Sequence, residues 1–117
     1  MRAASVMISK LGGSSTFEAL SCRVPIIADV TTEPMPQEAG TVKLVAKSGA
    51  AVLLRKASDI VPVVDRMIAD SKHYAALRAA TITVAIPNAT RRIVEEITAL
   101  IPESATAKTE SLAEHAA

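Results

Sequence analysis

Residues Val24 to Val30, VPIIADV, form a run that is apolar up to Asp29 and gives way at once to the two prolines of Thr31 to Pro36. Without polar alternation, such a run reads as a strand buried on both faces, which is how strands of a parallel sheet look because helices cover that sheet from both sides. The chain must therefore supply layers above and below it. Flanking segments meet that demand. Val6 to Ser9 has strand character and ends near the pair Gly12 and Gly13, which opens into a helical pattern over Ser14 to Cys22 with Phe17, Ala19 and Leu20 at helical spacing. Ser15 followed three residues later by Glu18 reads as a capping box.

Beyond the proline loop, Gln37 to Ser48 repeats apolar residues at Ala39, Val42, Val45 and Ala46, with Gly49 as its stop. Ala50 to Leu54 is a third short strand. Ser58 then stands as the cap of a helix whose stripe is Ile60, Val63, Val64, Met67 and Ile68, with Pro62 tolerated in its first turn. A further helix covers Asp70 to Val84. Pro87 and Asn88 break the chain, and a last helix runs to Ile101 with Ile93, Ile97, Leu100 and Ile101 inward and Arg91, Arg92, Glu95 and Glu96 outward. Residues Glu103 to Ala117 are small, polar and aperiodic and are expected to be a disordered tail. The fold class that follows is α/β: three short parallel strands flanked by helices in three layers, with right-handed crossovers and a helical carboxyl-terminal part. Three strands leave sheet edges and apolar surface for something else to cover.

Composition narrows the function. The 117 residues are half apolar, enough for one modest core, and the formal net charge is only +1, with both signs scattered along the chain. A nucleic-acid surface is not expected, and aromatics at 2% are too few for base stacking. The lone Cys22 cannot form an intramolecular disulfide, no signal segment stands before the first strand, and no apolar run approaches the roughly 20 residues that span a bilayer. The expected location is cytoplasmic, with any membrane link peripheral. His73 and His115 lack an acid or cysteine partner at a meaningful spacing and read as surface residues; no metal site is expected.

The chemistry is expected at the glycine corner. The first amides of a helix have no intrahelical partners, and the helix dipole adds partial positive charge, so a strand that turns sharply into a helix is ready for a phosphate. The stretch Gly12, Gly13, Ser14, Ser15 and Thr16 is neither a Walker loop nor a dinucleotide fingerprint. The alternative reading is a plain tight turn, with Glu18 as a plain capping residue. Lys10 falls beside the phosphates or at a solvated strand end.

Taken with Lys10-Leu11-Gly12-Gly13, Thr16, Glu18-Ala19-Leu20, Pro25 and Pro36-Gln37-Glu38-Ala39-Gly40, the chain resembles the carboxyl-terminal donor domain of GT-B glycosyltransferases, over about Ala3 to Ile101. It is most similar to family-28 enzymes of the monogalactosyldiacylglycerol synthase and diacylglycerol glucosyltransferase type. The resemblance implies a partial Rossmann-like sheet and a hexosyltransferase that binds a UDP-sugar as donor substrate, without a cofactor, for transfer to an acceptor hydroxyl, one carried by a lipid in these relatives. It places the diphosphate on Gly12, Gly13, Ser14, Ser15 and Thr16, the ribose on Glu18, and the donor sugar on Gln37 and Glu38. Thr41 departs from the asparagine often found there. The resemblance covers only the last strands of a donor domain, so no catalytic residue is assigned, and the acceptor domain is expected as a partner in cis or in trans. The alternatives are a donor-side subunit of a two-chain glycosyltransferase and a phosphosugar-binding domain of the isomerase type, whose serine-rich turn this one also resembles.

Overall fold

A computed structural model describes residues 1–101, and the chain divides into two units, Met1–Ile86 and a second beginning at Pro87. The tail over 103–117 lies outside the described residues. In the first unit the order is β1 (Met7–Ser9), α1 (Gly13–Ser21), β2 (Ile26–Asp29), α2 (Pro36–Ser48), β3 (Ala51–Leu54), a single 3-10 turn (Ala57–Asp59), α3 (Ile60–Ala69) and α4 (Ser71–Val84). The strands form one parallel sheet in the order β1-β2-β3, with Ile8 opposite Ile27 and Ile27 opposite Val52. This is the α/β architecture expected from the apolar runs.

β2 is central, and its alternating side chains build two cores. Ile26 and Ala28 pack with Leu11, Ala19, Leu20 and Val45 on the side covered by α1 and α2, while Ile27 packs with Leu54, Met67 and Leu77 on the side covered by α3. Both crossover helices thus lie on one face. On the other face α3 covers β2 and β3, and Ile8 of β1 remains 52% exposed. α4 belongs to both layers, giving Leu77 to one core and Ala80 and Val84 to the other.

The position of α4 decides which edge of the sheet is open. The Tyr74 hydroxyl donates to the Ser5 carbonyl at 2.8 Å, just before β1, and Ala80 stands against Gly49, just before β3. α4 therefore crosses the amino ends of the strands and leaves their carboxyl ends uncovered. Gly49 ends α2 in the left-handed conformation at φ 76°, where a glycine carries no Cβ penalty.

Several local expectations give way to the geometry. Ser58 does not cap α3: its hydroxyl donates to Asp59 Oδ1 at 3.0 Å and the chain enters α3 through the 3-10 turn. Ile68, expected in the stripe of α3, is 77% exposed, because that stripe is wider than the surface available to cover it. Phe17 is likewise only partly covered. In the second unit, α5 (Ala89–Ala99) has Asn88 before it at φ 56° and buries none of its residues, so Ile93, Ile97, Leu100 and Ile101 do not form the inward face expected of them.

Candidate functional site

At the end of β1 the chain reverses direction through Leu11 rather than through either glycine. Leu11 adopts φ 67°, a left-handed conformation that ordinarily costs a non-glycine residue about 1–2 kcal/mol. Two features hold it there: its side chain is fully buried in the core beneath α1, and its N–H donates to the Ser9 hydroxyl at 3.1 Å. Gly12 follows in an extended conformation as the N-cap residue, with no side-chain cap, and Gly13 begins the helix.

The expected capping box between Ser15 and Glu18 therefore does not form. With the N-cap at Gly12, Ser15 lies inside the first turn and its hydroxyl donates to the Gly12 carbonyl at 3.2 Å. Thr16 is also drawn into the turn. It is fully buried, its hydroxyl donates to Gly12 O at 2.8 Å, and its N–H makes the first intrahelical bond to the same oxygen at 3.1 Å. That burial removes the Thr16 side chain from any ligand and corrects its assignment to the diphosphate group. What remains facing outward are the amides of Gly13, Ser14 and Ser15, which precede the first intrahelical bond. No acid occupies this turn, and a Cβ built on Gly13 meets nothing within 4 Å.

Beside this turn lies a cleft of about 230 Å³ lined by Lys10, Asp29, Thr32, Glu33, Pro34, Met35 and Glu38. It sits at the carboxyl ends of β1 and β2, the edge at which open α/β sheets take ligands. Lys10 Nζ donates to Thr32 Oγ1 at 2.7 Å, tying the turn after β1 to the loop after β2. Asp29, the last residue of β2, accepts from the Thr31 hydroxyl at 2.7 Å and from the Thr31 N–H at 3.0 Å. The Thr31 hydroxyl bond first and the Thr31 amide bond second hold the Asp29 carboxyl below its ordinary value of 3.8; burial opposes them, and the charge of Lys10 adds the smallest contribution.

Pro36 at the first position of α2, where its missing N–H is not needed, sets Gln37 and Glu38 in the opening turn of that helix. Glu38 reaches the cleft. Gln37 is exposed, and its amide donates to Met35 Sδ at 3.5 Å. Glu18 stands exposed on α1, outside the cleft lining, with no side-chain hydrogen bond among the described residues. The fold thus gathers Lys10, Glu38 and the amides of Gly13, Ser14 and Ser15 at one sheet edge, with Gln37 beside Glu38 in the first turn of α2, and does not bring Glu18 into the cleft. Asp29 and Glu33 were not foreseen as site residues. An acid ending an apolar strand, with threonine two residues on, is the signal for Asp29, because it marks an Asx-type turn.

Chemically the cleft offers carboxylate acceptors and one ammonium donor next to uncapped helix amides, a set that suits a ligand with hydroxyls at one end and an anionic group at the other. Among the described residues there is no cluster of three or more His, Cys, Asp or Glu able to hold a metal, and no helix long and apolar enough to cross a membrane. Compared with protein-family models, curated proteins and solved structures, the chain finds no match.

Proposed function

We propose that this chain is the donor-binding half of a hexosyltransferase that holds a UDP-sugar for transfer to an acceptor hydroxyl, carried by a lipid as in the family it resembles. One observation carries the reading: the uncapped start of α1 and the carboxylate-lined cleft both lie at the carboxyl edge of a parallel sheet, with Lys10, two residues before the N-cap of α1, lining the cleft. The amides of Gly13, Ser14 and Ser15 would receive the diphosphate, with Lys10 exchanging its bond to Thr32 for a phosphate oxygen. The cleft is smaller than pockets for drug-sized ligands and has room for one sugar ring, read by Glu38 and Gln37. Glu18, left without a capping role, is available to the ribose hydroxyls.

In the reaction so proposed, the acceptor oxygen attacks the anomeric carbon as the bond to the diphosphate oxygen breaks. UDP leaves with the electron pair, and its charge is met by the α1 amides and Lys10. The acceptor's proton goes to a base on the other half of the enzyme, so the chain by itself is expected to transfer no sugar. A cytoplasmic setting with peripheral membrane contact belongs to the same reading. The half-exposed Ile8 on the edge strand favours an arrangement in which another α/β unit or chain completes the sheet, in cis or as the second subunit of a two-chain enzyme.

Titration calorimetry tests the proposal. UDP should bind the chain, with Glu18→Ala and Gly13→Val each weakening it about tenfold or more, and a simple hexose phosphate should fail to compete. Equal competition by hexose phosphate would move the site to the phosphosugar-binding class; indifference of UDP to both substitutions would sink the reading altogether.

A further inference from the structure

We infer that a second site lies on the α3 side of the sheet: a pocket for a small amphipathic anion, a short aliphatic carboxylate whose chain points inward and whose head meets Arg66 and His73. The cavity there has a volume of about 300 Å³ and is lined by Val52, Asp59, Pro62, Val63, Arg66 and His73. Four of these residues follow the spacing i, i+3, i+4, i+7 and form one face of the turn and helix leading through α3. Val52 comes from β3 and His73 from the first turn of α4. Three successive elements of the chain therefore fold back on one another to line one concavity, outside the strand-end cleft.

The wall is aliphatic at Val52, Pro62 and Val63, and its polar groups sit at separate ends. Seven residues of helical rise place Asp59 and Arg66 about 10 Å apart along the axis. Asp59 already accepts the Ser58 hydroxyl at 3.0 Å. Among the described residues Arg66 has no carboxylate within ion-pair distance, the ion pair there being Arg91 with Glu95. The imidazole of His73 likewise makes no hydrogen bond there, its backbone N–H alone being held by Asp70 Oδ1 at 2.9 Å. A guanidinium fork without a partner beside an apolar wall matches a carboxylate on a hydrocarbon chain, the head gaining paired charge-assisted bonds and the chain gaining burial. The volume stands at the lower bound of small-molecule pockets, which selects a chain of about six carbons over a nucleotide. Inorganic phosphate would leave the aliphatic wall unused.

The experiment titrates hexanoate into the full chain and follows the methyl groups of Val52 and Val63 and the ring of His73 by NMR. All three should move together and saturate through the millimolar range, whether or not UDP is present. Hexanol, with the same chain and no charge, should bind about tenfold more weakly, and Arg66→Gln should lower hexanoate affinity by a similar factor. Absence of saturation, equal binding of hexanol, or full affinity in a folded Arg66→Gln variant would each overturn the inference. Should that variant fail to fold, the comparison of hexanoate with hexanol on the unaltered chain decides.

Discussion

Replacing Gly13 by alanine should move folding and ligand binding in opposite directions. Gly13 is the first residue of α1, lies outside the left-handed region, and has open space where a Cβ would stand. Alanine in place of a helical glycine is worth about 0.5–1 kcal/mol, mostly through the lower entropy of the unfolded chain. For a unit of the size of Met1–Ile86, each kcal/mol corresponds to roughly 4–8 °C in Tm, so calorimetric melting should rise by about 2–8 °C. The same methyl group is added to the turn whose amides are proposed to receive the diphosphate. Loss of one hydrogen bond to a charged oxygen costs about 1.5–3 kcal/mol, which is about 10- to 150-fold in UDP affinity by titration calorimetry. A higher Tm with unchanged UDP affinity would refute the phosphate site. A lower Tm would refute the reading of the local backbone.

Three further outcomes are expected. Leu11→Ala should cost about 2–5 kcal/mol in urea denaturation, because Leu11 is fully buried in the core beneath α1; a loss well under 1 kcal/mol would mean that the corner is not held by packing. Arg23→Gly should stabilise by about 0.5–1 kcal/mol, since Arg23 sits at φ 59° in a Schellman ending of α1, with Arg23 N donating to Leu20 O and Val24 N to Ala19 O, and an unchanged Tm contradicts that strain. Asp29 should titrate below 3.8 by carboxyl-carbon NMR and shift upward in Thr31→Val. Its folded value is depressed, so its contribution to stability is complete above the unfolded value and is lost as pH falls through the folded one; a midpoint at or above 3.8 rules this out.

Much of the fold was legible in the chain because burial on both faces and burial on one face leave different patterns. VPIIADV reads as an inner strand, and the spacing of Val42 and Val45 as one side of a helix. Gly49 could be read as a helix end because glycine enters the left-handed position there without a Cβ penalty. The glycine corner was legible as a turn of this kind, and Glu38 as a residue of the opening of α2. These are local properties, set by the conformations a few consecutive residues can adopt.

The tertiary structure decided what depends on neighbours remote in sequence. Ser15 and Glu18 have the letters of a capping box, yet with Leu11 held in a strained conformation by the core the N-cap falls at Gly12, the helix begins at Gly13 and Thr16 is turned inward. The letters of Ile68 and Ile97 are those of core residues, but whether an apolar side chain is covered depends on which elements reach it. Lys10 and Thr32 stand 22 residues apart and meet only because β1 and β2 run parallel. Periodicity tells a residue which side of its own element it occupies; what lies opposite is settled only when the elements pack, since burial is a property of pairs of surfaces.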